Sequence, residues 1–162
     1  MARLTEAAAG GRNVLAFLDM LAWSEGTDHP RQPTKDQGYD VVVGGGLFQG
    51  YADHPRRLVN LPRLGIKSTA AGRYQLLSRY WDAYRKSLKL TGGFTPENQD
   101  RVALQQIRER RALDDIKAGR IPEAIEKCRN IWASLPGAGY GQREHQLEDL
   151  LAHYVAAGGV LA

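Results

Sequence analysis

A single cysteine, Cys128, stands in 162 residues, so no internal disulfide can form and no paired-cysteine metal or redox motif exists. Its neighbours Ile125 and Trp132 place it in an apolar helical stripe, as a core thiol. Four histidines, His29, His54, His145 and His153, are too dispersed for an HExxH-type ligand set. They are expected at the surface, and neither a metal nor a cofactor is expected. No stretch approaches the roughly 20 apolar residues of a membrane span. The most apolar stretch near the N-terminus, Val14 to Trp23, is interrupted by Asp19 and lacks a small-residue cleavage site after it. The chain therefore reads as made in the cytoplasm without a signal peptide, with no stable membrane insertion. Any work beyond the membrane would need help in crossing it. Heptads, internal repeats and low-complexity tracts are also missing.

What is present has average globular proportions, with 43% apolar and 25% charged residues. Residues 12–162 suit one α+β domain, preceded by a loose small-residue leader, 1–11, and a monomer is expected. Basic residues outnumber acidic ones, giving a net charge of +4, which favours an anionic partner. They are scattered and match no zinc-finger, basic-zipper or RNA-recognition pattern, so nucleic acid is not the expected partner.

Apolar residues Val14, Phe17, Leu18 and Leu21 repeat at helical spacing before Gly26, predicting a helix over 12–24. The β-branched run 39–43, three glycines and Leu47 to Tyr51 suggest a hairpin. Residues 53–66, with Pro55, Pro62 and Gly65, suggest an irregular lip. Further helices are expected from Gly72 to Leu88, from Thr95-Pro96 onward, up to Ala118, from Pro122 through Trp132, and around Leu147 to Tyr154. The architecture is thus mostly helical with a small antiparallel sheet near 39–60.

Glu25 is the most informative position. It extends the apolar series Leu18 and Leu21 and so points to the buried side of its helix. Burial and the helix C-terminus both disfavour the charged carboxylate and raise its pKa. An acid protonated near neutrality can protonate a glycosidic oxygen, the role of the raised glutamic acid in lysozyme chemistry. Periodicity alone does not separate this from a partly exposed residue of a last helical turn. Most glycosidases need a second carboxylate; Asp28, Asp36, Asp40 and Asp53 all lie in turn-rich segments where aspartate bonds locally. Gln75 offers an amide suited to an N-acetyl group. The glycine-rich stretch 135–142 presents Tyr140 as a lip residue rather than a nucleotide loop, and Ser24 lies outside any G-x-S-x-G elbow. Trp23, Trp81 and Trp132 are expected in the core.

The blocks FLDMLAWSEGTD (17–28), GYDVVVGG (38–45), DHPR (53–56), GRYQLLSRYWDAYRK (72–86), VALQQI (102–107) and NIWASLPGAGYGQ (130–142) together resemble the lambda-lysozyme family of phage endolysins, which are lytic transglycosylases. The resemblance spans nearly the whole chain. It implies a lysozyme-like fold with a helical lobe, a three-stranded sheet and two mobile lips, around residues 46–64 and 136–144, over a glycan cleft. It also implies Glu25 as the catalytic acid/base. The implied substrate is the peptidoglycan glycan strand, cut between N-acetylmuramic acid and N-acetylglucosamine with a 1,6-anhydro product and without cofactor or metal. Tyr74, Gln75 and Tyr140 are the implied glycan contacts, with Ser68 and Thr69 beside them. Action would be in the periplasm or wall, with a holin as the means of crossing. A hydrolytic muramidase using a loop aspartate, and a non-cutting wall-binding or virion module, are the competing readings.

Overall fold

The structure, a computed structural model, describes residues 1–139 and 144–162. Its helices are α1 (Glu6–Ala9), α2 (Arg12–Ser24), α3 (Ser78–Ser87), α4 (Pro96–Glu109), α5 (Leu113–Lys117), α6 (Ile121–Cys128) and α7 (Leu147–Ala156), with strands β1 (Val59–Leu61) and β2 (Ile66–Ser68) between α2 and α3.

Helix α2 is the axis of the larger core. Val14, Ala16, Phe17, Leu18, Met20, Leu21 and Ala22 are all fully buried, and α4 to α7 supply Leu104, Ile107, Ile116, Ile121, Ile125, Cys128, Leu150 and Tyr154 around it. This largely buried helix, wet along Arg12, Leu15, Asp19 and Trp23, ends where its chain must leave the core, at Gly26 with φ +75°. A second cluster, Val42, Phe48, Ala71, Leu76, Trp81, Phe94 and Val102, underlies the non-helical half. Helix α4 begins as its sequence dictates, with Thr95 Oγ1 accepting from Asn98 N at 3.2 Å and Pro96 in the first turn.

Four sequence expectations change. The antiparallel sheet among the described residues has two strands, not three, and lies at 59–68, inside the expected irregular lip. Pro62 starts the turn, and Leu64 N donates to Leu61 O at 3.0 Å. The expected hairpin at 39–51 is reduced to one bridge, Val41 to Leu47, closed by Phe48 N to Asp40 O at 2.9 Å and Val42 N to Gly46 O at 2.7 Å, while Val42 also bridges Ala71 on its other side.

The helix expected from Gly72 starts six residues later. Gly72 (φ +81°) and Gln75 (φ +53°) both take left-handed backbone, and Ala71 bridges Leu76 to close a tight turn. A Cβ on Gly72 would sit 2.3 Å from Gln99 Oε1, so only glycine fits.

The stretch 1–11, expected to be loose, is docked. Leu4 and Ala9 are buried, and Thr5 caps α1 through Ala8 N at 3.2 Å. Arg3 N and Leu4 N donate to Asp100 Oδ2 at 2.6 and 3.0 Å. Composition hid this because the anchor is a carboxylate almost a hundred residues away.

Candidate active site

Glu25 caps the C-terminus of α2, its own N–H reaching back to Leu21 O at 2.8 Å. Its half-buried side chain opens into a cleft of about 640 Å³ whose lining includes Trp23, His29, Gln32, Ser134, His145 and Asp149. Ser134 Oγ donates to Glu25 Oε1 at 2.7 Å, and Ser24 and Ser134 hydroxyls meet at 2.7 Å. Since the Ser134 proton goes to the carboxylate, Ser24 supplies the proton between the two hydroxyls. Burial pushes the Glu25 carboxyl up to about 7, with the Ser134 hydrogen bond pulling the other way. The group is therefore shared between acid and carboxylate near neutral pH.

Two more contacts hold this pair. His145 N donates to Ser134 O at 3.0 Å, and His145 Nε2 meets Ser24 O at 3.0 Å. Trp23 stacks on His153 with ring centroids 3.7 Å apart, and His145 and His29 approach it at 4.5 and 5.7 Å. Three histidines that looked dispersed along the chain thus converge on the turn before Glu25. The fourth, His54, is 2% exposed. It accepts from Arg56 N through Nδ1 at 2.9 Å, so Nε2 carries the proton given to Leu76 O at 2.8 Å. The expected surface position is thereby corrected for His54, while His29, His145 and His153 are partly exposed. Trp81 and Trp132 are core residues, whereas Trp23 lines the cleft.

The remaining expected contacts fall elsewhere. Tyr74 is 5% exposed, its hydroxyl donating to Asp100 Oδ1 at 2.7 Å and accepting from Arg73 at 3.2 Å. A glycan cannot reach that hydroxyl, so Tyr74 braces the site instead. Gln75 spends its amide N–H groups on Gly72 O at 2.9 Å and Val41 O at 3.3 Å. Both residues border a separate cavity of about 270 Å³ with Leu77, Tyr80 and Trp132. Ser68 Oγ accepts from Ala70 N at 3.1 Å, and Thr69 Oγ1 accepts from Ser78 N at 3.0 Å to start α3. Tyr140 lies outside the described residues.

The four loop aspartates are all engaged away from Glu25. Asp28 takes Arg73 Nη2 at 2.9 Å, Asp36 takes Arg3 and Tyr51 Oη, Asp40 takes Thr34 Oγ1 at 2.5 Å, and Asp53 takes Arg56 Nε at 2.7 Å. None lines the cleft. Asp149, in the first turn of α7, is the other carboxylate that does; sequence reading missed it because it sits on a solvated helix face.

Behind the site, fully buried Arg73 gives Nη2 to Asp19 and Asp28, both at 2.9 Å, and Nε to Gln37 O at 3.0 Å. Its carbonyl accepts from Thr27 Oγ1 at 2.6 Å, and the next carbonyl, of Tyr74, accepts from Trp132 Nε1 at 3.2 Å. Residues 73 and 74 therefore hold both segments of the site, one carrying Glu25 and the other Ser134.

A sequence model of the family described as Endolysin matches residues 15–161. The endolysin of Escherichia phage lambda is 65% identical over 147 residues, covering 90% of this chain and 91% of its own. That of Escherichia phage P2 is 58% identical over 161 residues, covering 93% and 96%. The chain belongs to the endolysin family. Among solved structures, bacteriophage lambda lysozyme complexed with a chitohexasaccharide superposes with a TM-score of 0.89 at 58% identity over 100% of both chains. A second structure of lysozyme from bacteriophage lambda gives a TM-score of 0.85 at 56% identity, again over all of both chains. The fold is lysozyme-like, and this endolysin is a lysozyme-like glycosidase that acts on peptidoglycan.

Proposed function

We propose that this endolysin is a lytic transglycosylase in which Glu25 is both acid and base, cutting the glycan strand between N-acetylmuramic acid and N-acetylglucosamine. The observation that carries the reading is one half-buried carboxyl held at about 7 beside a cleft, with the four loop aspartates all bonded elsewhere. The protonated Glu25 gives its proton to the bridging oxygen as the C1–O bond breaks, leaving an oxocarbenium-like centre that the substrate's 2-acetamido group stabilises. The Glu25 carboxylate then takes the proton of the muramic C6 hydroxyl while that oxygen bonds to C1. The 1,6-anhydro ring forms, Glu25 ends as it began, and no water is consumed. Ser134 supports both halves, donating to Oε1 while the other carboxyl oxygen gives up and regains the proton.

A glycan strand fits the cleft on chemical grounds, and a chitohexasaccharide is bound by the lambda relative. Action on the wall requires passage across a membrane. No helix among the described residues is long and apolar enough to cross one, which is in keeping with a holin opening the way.

Asp149 lines the same cleft and supports a second reading, a muramidase in which it activates water. Mass spectrometry of digested peptidoglycan separates them. Anhydromuramic ends from the wild type and from Asp149→Asn, with a rate loss on the order of a thousandfold in Glu25→Gln, are expected. Ends heavier by one water, lost in Asp149→Asn, would replace transglycosylation with hydrolysis.

A further inference from the structure

Trp23 stands two residues before Glu25, in the last turn of α2, and its indole is where α7 meets that turn. His153 of α7 lies flat on it, with ring centroids 3.7 Å apart and planes 22° from parallel. His145 and His29 close in at 4.5 and 5.7 Å. Two of these three imidazoles have hydrogen bonds to keep. His145 Nε2 donates to Ser24 O at 3.0 Å, and His29 Nδ1 accepts from Arg31 N at 3.2 Å, which leaves its proton on Nε2. The His153 side chain makes no hydrogen bond among the described residues, so its tie there is the stack on Trp23. A phenyl ring would stack as well; what the imidazole adds is a site for a proton.

The surroundings decide what that proton does. A lone imidazolium on an indole face is attracted by the ring quadrupole. Here three imidazoles share one indole, partly out of water. Burial first, then His29 and also His145, hold His153 below the ordinary imidazole value of 6.5, against the pull of Asp149 one turn earlier on α7. Glu25 and Arg31 line the same cleft as Trp23, His29 and His145, while Asp19 and Asp28 are taken up by Arg73. A depressed imidazole stabilises the fold above its ordinary value and withdraws that contribution as pH falls through its folded value. Protonation thus works against the stack, and the stack bears on the turn that aims Glu25.

We propose that His153 is a positioning residue for Glu25: stacked on Trp23 it fixes the last turn of α2, and a proton on its ring releases that turn and slows cleavage. The proposal rests on Glu25 as the acid of the reaction, whichever product forms. Glu25 starts each turnover protonated, so its own ionisation removes activity as pH rises through about 7 and provides no loss on the acid side. An acid limb is therefore the mark of a second group.

The test is kcat and KM on purified peptidoglycan from about pH 8 to about pH 5 for the wild type, His153→Phe and His153→Ala, with the melting temperature recorded at each pH. The wild type should lose kcat on the acid side with the slope of one proton, about tenfold per pH unit. His153→Phe, which keeps a ring on Trp23, should match the wild type at the alkaline end and lack that limb. His153→Ala should lower kcat about tenfold across the range with KM nearly unchanged. His54, the other imidazole held down by burial, is common to all three proteins and cancels. An acid limb retained in His153→Phe would overturn the proposal, as would a His153→Ala variant that melts earlier but keeps the wild-type kcat. Undiminished cleavage by Glu25→Gln would overturn the Glu25 reading and this proposal with it. An inactive Glu25→Gln beside an unaffected His153→Ala would overturn this proposal alone.

Discussion

Asp100 and Glu25 are both carboxylates taken largely out of water, and the fold treats them oppositely. Asp100 receives four donors, Tyr39 and Tyr74 hydroxyls on one oxygen and the Arg3 and Leu4 amides on the other, between 2.6 and 3.0 Å. Among the described residues, the Glu25 carboxyl is held by Ser134 alone, through its hydroxyl at 2.7 Å and its backbone N–H. A carboxylate with every lone pair used fixes the chain around it. One held by a single residue keeps its proton negotiable, which suits the proposed role of giving a proton and taking one back. The saturated network, with Arg73 at its centre, supplies the rigidity that lets the other stay sparse.

The comparison breaks most severely at Arg73. Arg73→Met preserves bulk but leaves Asp19 and Asp28 without their guanidinium, and removing one partner of a buried ion pair costs about 3–5 kcal/mol. Urea denaturation should show that loss, with activity falling because Thr27 and Trp132 lean on this segment. A loss under about 1 kcal/mol would mean that solvent already screens the network.

Next in size is a pH effect confined to Glu25. Its folded value of about 7 lies above its ordinary 4.5, so between those pH values the folded chain holds a proton that the unfolded chain releases. Stability contributed by the protonated group is complete at low pH and lost as pH rises through that window, by about 3 kcal/mol in total. Relative to wild type, Glu25→Gln should therefore gain stability from pH 4.5 to 7, because other titrating groups are common to both and cancel. Parallel urea midpoints across that range would show that Glu25 is not held out of water.

The same contrast explains what was legible in the sequence. Helix α2 and its end were read correctly, since Val14 to Leu21 carry a strong helical period and Gly26 a clear stop. Glu25 was legible as a suspect from that period, and the WSEGT block made it the expected acid of the resembling family. Ser134 was not, because its partner lies 109 residues away and a serine in a proline-glycine stretch has no local signature. Tyr74 and Gln75, expected as contacts, have their hydroxyl and amide engaged on Asp100 and Gly72 away from the Glu25 cleft. Their block is strongly patterned, but the pattern serves a tight left-handed turn and a buried network rather than the cleft. The strands were misplaced because the β-branched run at 39–43 pairs only through single bridges, Val41 to Leu47 and Val42 to Ala71, while 59–68 advertises almost nothing.

Smaller in size is the effect of Ser134→Ala on the cleft itself. The hydroxyl favours the charged form of Glu25, so its loss should move the controlling pKa of cleavage upward from about 7, by about one pH unit. The pH profile of peptidoglycan cleavage reads this directly. A downward shift would mean that water entering the space solvates the carboxylate better than the serine did.

The smallest effect belongs to Asp53, whose carboxyl is held down to about 2, first by Arg56 and also by Trp81 Nε1. A depressed carboxylate stabilises the fold above its ordinary 3.8 and loses that contribution as pH falls through about 2. Because the group is exposed, solvent screening leaves about 0.5 kcal/mol at neutral pH. Asp53→Asn should thus lower the melting temperature by roughly one or two degrees. Arg56 keeps Asp82 at 2.6 Å, so no charge is orphaned. The asparagine still offers an oxygen to the Trp81 indole, now 3.1 Å from Asp53 Oδ1. A much larger drop would locate the importance of Asp53 in that bond, because Trp81 is fully buried and its N–H has no water to turn to.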